Sequence, residues 1–180
     1  MIQYTGNQTN VTVPSVLDGI TVVSIGKEAF ENSSITHIAL PSTITTIDDS
    51  AFKYCRNLEY IYAPNVTNIG TSSFEYCSAL TGIYDVHPVD DTVGAYFPNL
   101  ISTKGYTFNN CKNLTTAYFK PTTPPSVNSV DTGGYSMYVF GYYSTAITLI
   151  YVPMESVSAY KESKSWGQYK SRIFGYNFEE

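Results

Sequence analysis

Three cysteines, two histidines and a few clustered carboxylates are the residues of this 180-residue chain that could do chemistry. A thiolate nucleophile needs a base beside it, and a metal centre needs ligands converging from several directions. Cys55, Cys77 and Cys111 each follow a phenylalanine by three residues, and no histidine shares their slot. They read as a column of small buried side chains. Their odd number excludes a complete disulfide framework. His37 and His87 stand in unrelated contexts and form no triad. Asp85, His87, Asp90 and Asp91 crowd one stretch where oxygen ligands could hold Ca²⁺, but their spacing fits no calcium loop, and solvated acid is the expectation. Asp48 and Asp49 are adjacent, so they do not face each other as a glycosidase pair would. They read, with Ser50, as N-caps of a helical turn. There is no glycine-rich phosphate loop. The expectation is a protein without catalytic residues, metal or cofactor.

The totals narrow the class further. Hydrophobic residues make up 43% and charged residues 14%, a globular balance rather than a disordered one. A net charge of −5 with scattered Lys and Arg leaves no electrostatic footprint for nucleic acid. No apolar run reaches the roughly 20 residues that cross a bilayer, so no transmembrane segment is expected. The opening residues, MIQYTGNQTN, lack a basic stretch followed by an apolar one, so no signal peptide is expected within this chain.

The elements that must position these residues repeat. Phe30, Phe52 and Phe74 are 22 residues apart, and Phe108 follows 34 later. Cysteine comes three residues after the last three of them, with Ser33 in the first slot. Leu58, Leu80 and Leu114 come six after, while Ile25, Ile47 and Ile69 come five before. A fixed period of this size signals a solenoid. Each repeat carries one short strand: ITHIAL (35–40), LEYIYA (58–63), LTGIYD (80–85), LTTAYF (114–119) and ITLIYV (147–152), with QTNVTV (8–13) a weaker copy. The common pattern is apolar at positions 1, 4 and 6, with positions 3 and 5 facing outward. Proline closes most copies, at Pro14, Pro41, Pro64, Pro121 and Pro153. The 34-residue spacing implies an insertion near 86–97, and a second lies between Pro125 and Phe140. Thr103 and Ala117 replace expected isoleucines, so the coil after the first insertion should pack more loosely. The expected organisation is one domain over 1–180: an N-terminal coil over 1–24, central repeats over 25–125, and a second insertion, last strand and cap over 126–180. Val157, Tyr160, Trp166, Tyr169 and Ile173 are spaced to cover the final coil.

Outward positions of the strands place His37, Tyr60, Tyr62, Tyr84, Tyr118 and Tyr151 on one face. Tyrosine favours strands for its own sake, and it is also enriched at recognition surfaces. Both readings of the row stand at this point.

The phrases VVSIGKEAF, ITHIALPSTITTIDDSAFKYCRNLEYIYAP and VTNIGTSSFEYCSALTGI resemble the BspA-like, Treponema-type leucine-rich repeats over about residues 11–121. LIYVPMESVSAYKESKSWGQYKSRI looks like the C-terminal cap of Bacteroides-type members. The resemblance implies a right-handed solenoid, mainly β with short helical turns and a helical C-terminal cap. It implies a secreted or surface-attached module that binds other macromolecules, several members being described as adhesins, with no catalytic set; the expected partner is a protein, and the expected state a monomer. Binding of glycans by the tyrosine row is the alternative.

Overall fold

The computed structural model describes residues 4–85, 94–128, 138–141 and 146–178. In chain order the strands are β1 (Asn10–Thr12), β2 (Val16–Leu17), β3 (Ile20–Thr21), β4 (Ser24–Ile25), β5 (His37–Ala39) and β6 (Thr46–Ile47). Then come β7 (Tyr60–Tyr62), β8 (Asn68–Ile69), β9 (Gly82–Tyr84), β10 (Ala95–Phe97) and β11 (Ser102–Lys104). The last are β12 (Thr116–Phe119), β13 (Ser126–Asn128), β14 (Leu149–Pro153) and β15 (Ile173–Tyr176), with helix α1 (Val157–Glu162) between the final two. The chain alternates between two sheets. An eight-stranded sheet runs β1-β5-β7-β9-β10-β12-β14-β15, and a five-stranded sheet runs β13-β11-β8-β6-β4. All pairings within both are parallel. Hairpin β2–β3 stands apart, turning through Asp18 and Gly19 at φ 51° and 78°.

The strands exist because one coil cannot bury its own apolar residues, whereas stacked coils can. Ile38, Ile61, Ile83, Ala95, Ala117, Ile150 and Ile173 lie in register on the inner face of the larger sheet. Ile25, Ile47, Ile69, Thr103 and Val127 do the same in the smaller one. Between them runs the phenylalanine column. Phe30–Phe52, Phe52–Phe74 and Phe74–Phe108 stack with centroids 5.2, 5.3 and 5.3 Å apart. Tyr4 at 5.1 Å and Phe140 at 5.8 Å extend the column at its two ends.

The helical turn expected around Ser50–Cys55 does not form, and Asp48, Asp49 and Ser50 cap nothing. Residues two before and two after each column phenylalanine are left-handed instead: Glu28 and Asn32, Ser50 and Tyr54, Ser72 and Tyr76, Tyr106 and Asn110. The reason is where the amides must point. In a helix each N–H would bond within its own segment. Here Ser50, Phe52 and Tyr54 donate to Thr71, Ser73 and Glu75 of the next coil at 2.8–2.9 Å, and the other coils repeat the pattern. Asp49 serves the same end. Its Oδ1 accepts the Thr71 N–H at 2.8 Å and the Lys104 Nζ at 3.0 Å, tying three coils. Burial pushes its acidity the other way, but these two donors and the charges of Lys104 and Lys27 prevail and lower its pKa.

The first insertion holds more than a loop. Its residues 95–97 form β10, which pairs with β9 on one side and β12 on the other. In the smaller sheet β8 pairs directly with β11, so the extra segment adds a rung to one sheet only. Asp85 stands at the sixth position of its copy, where the others are apolar and where the chain leaves for residues 86–93. The looser packing expected around Thr103 and Ala117 is absent. Both are fully buried. Thr103 and Thr107 share a hydroxyl hydrogen bond of 2.9 Å. The missing volume at Ala95 and Ala117 is met by Phe97 and Phe119 two residues on, stacked at 4.9 Å.

Short helices occur, among the described residues, only in the closing segment. Tyr160 and Trp166 are fully buried there, and Tyr169 nearly so. Tyr160 donates its hydroxyl to the Pro121 carbonyl at 2.9 Å, and Trp166 Nε1 donates to the Pro125 carbonyl at 2.8 Å. The lid thus supplies donors as well as apolar cover.

Two expectations follow. Phe52→Ala should cost about 3–5 kcal/mol in urea unfolding, because the stack on either side fixes the walls of the cavity. At Ser72, with φ 53°, substitution by Gly should stabilise by up to about 1 kcal/mol, while Val should destabilise by at least as much, read from thermal midpoints.

Candidate binding face

The outer face of the larger sheet is aromatic along most of its length. Register aligns Ala39, Tyr62 and Tyr84 in one row, then Tyr96, Tyr118, Tyr151 and Phe174. The parallel row two residues earlier holds Asn10, His37, Tyr60 and Gly82. Tyr96–Tyr118 and Tyr118–Tyr151 stack at 4.3 and 5.0 Å. Tyr176 meets both Tyr118 and Tyr151 at 5.4 Å, and Phe178 meets Tyr176 at 5.0 Å. Toward the other end, Tyr60 lies 6.1 Å from Tyr84 and 4.1 Å from the His37 ring. Two glycines make room for this. A Cβ on Gly82 would collide with the Tyr84 ring, and one on Gly94 would press on Tyr118 Cε2 at 3.0 Å. The Tyr84 ring therefore lies over bare backbone, and the edge of the Tyr118 ring packs against Gly94.

Every tyrosine placed on this face by its position in the repeat is there: Tyr60, Tyr62, Tyr84, Tyr118 and Tyr151, each half-buried. The sequence reading missed Tyr96, Phe174 and Tyr176. The signal for Tyr96 was present, since Ala95-Tyr96-Phe97 repeats Ala117-Tyr118-Phe119 ahead of a proline. Burial raises the pKa values of Tyr84, Tyr96 and Tyr118, and neighbouring phenols add to the effect, so these hydroxyls stay neutral hydrogen-bonding groups. A depression of about 200 Å³ flanks the row at the Asn10–His37–Tyr60 end. Another of about 330 Å³ lies beside Lys120, Met154, Tyr176 and Phe178.

His37 does meet a carboxylate, with Nε2 3.3 Å from Glu59 Oε2, and Thr36 Oγ1 sits 2.9 Å from Nδ1. Nδ1 also lies 2.7 Å from Asn10 Oδ1, and the Thr36 hydroxyl reaches Thr9 O and Asn10 Oδ1 at 3.2 and 3.0 Å, so these groups form a shared polar network rather than an isolated base–nucleophile pair.

The cysteine column is internal. Cys55, Cys77 and Cys111 donate their thiols to the carbonyls of Phe30, Phe52 and Phe74 in the preceding coil at 2.9, 3.0 and 3.0 Å. Burial raises the pKa of each. No group of three or more His, Cys, Asp or Glu able to hold a metal occurs among the described residues. His87, Asp90 and Asp91 lie outside them, and Asp85 is half-buried at their border.

Residues 3–130 match the profile of the BspA type leucine-rich repeat region, in six copies. The chain belongs to the BspA-type leucine-rich repeat family. Among solved structures it is similar to the leucine-rich repeat protein TpLRR of T. pallidum, at 24% identity and a TM-score of 0.63 over 85% of this chain and 63% of that one. It is also similar to a leucine-rich cell surface protein of Faecalibacterium prausnitzii, at 26% identity and a TM-score of 0.57 over 85% of this chain and 38% of that one. The chain thus spans under two thirds of either relative. Comparison with curated proteins gives no match. Among the described residues no helix is long and apolar enough to cross a membrane.

Burial of the thiols and phenols has a measurable consequence. The folded chain holds these protons more tightly than the unfolded chain, which in alkali therefore binds fewer, so stability falls as pH rises. The contribution is complete below about pH 9, the ordinary thiol value being 9.0, and is lost as pH climbs toward the Tyr169 value of about 12. Thermal midpoints should hold near neutrality and drop above about pH 9. A thiol reagent near pH 8 should leave all three cysteines unlabelled until the protein is unfolded. Rapid labelling of native Cys77 would contradict its placement.

Proposed function

We propose that this chain is a surface-exposed or secreted bacterial module for protein–protein interaction or adhesion, acting as a monomer through the aromatic face of its larger sheet. The observation that carries the reading is the unbroken run of rings from Tyr96 through Tyr118 and Tyr151 to Tyr176. Tyrosine offers large contact area at small entropic cost, and rings already stacked have lost their freedom before a partner arrives. His37, Tyr60, Tyr62 and Tyr84 continue the surface at the other end. A cell-surface location is supported by the description of the Faecalibacterium relative as a cell surface protein.

Glycan binding is the competing use of such a surface. Sugars stack on ring faces, and in a row stacked at 4.3–5.0 Å the faces are turned toward one another, leaving edges for a partner. That arrangement suits protein side chains better than pyranose rings.

The test is a double substitution, Tyr118→Ser with Tyr151→Ser, assayed against surface proteins captured by the wild type and against a glycan array. Protein capture should weaken at least about tenfold with secondary structure intact. Unchanged capture would remove the assignment, and array hits lost in the variant would transfer it to glycans.

A further inference from the structure

A second cluster sits off this face, on the edge where the chain turns toward the larger sheet. The slot two residues after each column phenylalanine holds Asn32, Tyr54, Tyr76 and Asn110, with φ of 56°, 62°, 63° and 60°. Asparagine tolerates the left-handed region, and a bulky tyrosine is disfavoured there. The two central coils nonetheless carry tyrosine, and their rings stack at 5.0 Å and 20°. The Arg56 guanidinium lies within cation–π range of both, 5.5 Å from the Tyr54 centroid and 5.9 Å from that of Tyr76. Lys53 also lies over Tyr54, at 5.3 Å, but Glu75 binds its ammonium at 2.8 Å. Arg56 is exposed and makes no ion pair among the described residues. Backbone strain kept twice, side by side, beneath one uncommitted cation is a reason to look for function.

We propose that Arg56, Tyr54 and Tyr76 form a recognition site for a single Asp or Glu side chain flanked by apolar residues on a protein partner. A guanidinium held beside two rings and paired with no carboxylate offers its N–H fork to one, and the surrounding ring surface takes the apolar neighbours. Arginine and tyrosine are also the side chains most enriched among interface hot spots. A polyanion fits poorly, because Glu31 and Glu75 lie beside the cluster and the chain carries a net charge of −5. The partner class rests on the protein-interaction reading above, but the surface is a different one.

A random-peptide phage library panned on the wild-type chain tests this. The variants are Arg56→Gln and the double change Tyr54→Asn with Tyr76→Asn, which copies the outer coils and should leave thermal stability equal or higher. Tyr118→Ser with Tyr151→Ser reports on the sheet face separately. Selected peptides should carry Asp or Glu beside apolar residues. A synthetic peptide from that set should lose at least about tenfold in affinity with either edge variant, or when its own carboxylate becomes an amide, and nothing with the sheet-face variant. The proposal falls if no peptide is enriched, if selected peptides lack a carboxylate, if Arg56→Gln leaves affinity unchanged, or if the loss follows Tyr118 and Tyr151. Tighter binding of a sulfated heparin oligosaccharide at Arg56 would overturn the partner class.

Discussion

Each coil of this protein has its backbone satisfied by the coil beside it. The two sheets do this in the ordinary way, but the turns between them do it as well, through alternate amides that reach the next coil. Everything else inherits the resulting spacing. Rings in the phenylalanine column sit 5.2–5.3 Å apart because successive coils sit about 4.8 Å apart. Each cysteine thiol finds a carbonyl one coil away for the same reason. Stability in such a stack is carried by neighbour interfaces, so a defect in a central coil is felt on both sides.

The same spacing builds the outer face. Aromatic side chains set one coil apart must stack or fold down, and the chain does both. Glycine at 82 lets the ring of Tyr84 lie on the backbone and glycine at 94 leaves room for the edge of Tyr118, while Tyr96, Tyr118 and Tyr151 stand against one another. A binding surface so made is rigid before any partner is present. Its cost in ordering has been met by the fold itself.

How much of this the sequence displays depends on which atoms decide the outcome. The inner ladders, the phenylalanine and cysteine columns and most of the tyrosine row are legible, because they rest on side-chain identity at a fixed period. The left-handed turns are not. Glu28, Ser50, Tyr54 and Tyr76 are poor advertisements for positive φ, and only the hydrogen bonds to the next coil impose it. Asp48-Asp49-Ser50 therefore reads as a helix start when Asp49 is in fact a tie between coils. Strand β10 escapes notice because it adds a rung to one sheet without a counterpart in the other, which breaks the period that reveals the rest. The Arg56 cluster escapes for the first reason: its geometry follows from backbone conformation, not from spacing.

The two ends of the stack are finished differently, and the difference is chemical. At the C-terminal end the carbonyls of Pro121, Pro125 and Ile147 would be left without donors where the regular coils stop. Tyr160, Trp166 and Arg172 supply donors at 2.8–2.9 Å while their apolar bodies cover the last side chains. At the N-terminal end Tyr4 closes the phenylalanine column, but hairpin β2–β3 and the residues after it leave Val16, Leu17, Ile20 and Val23 at least half exposed. Covering an end thus requires two things at once, apolar area and polar donors placed at coil spacing. Large side chains with one polar tip meet both requirements, and aliphatic residues such as Leu17 and Ile20 meet only the first. The aromatic richness of the chain therefore serves its interior, its outer face and its C-terminal lid by one property, an apolar body that can end in a hydrogen bond.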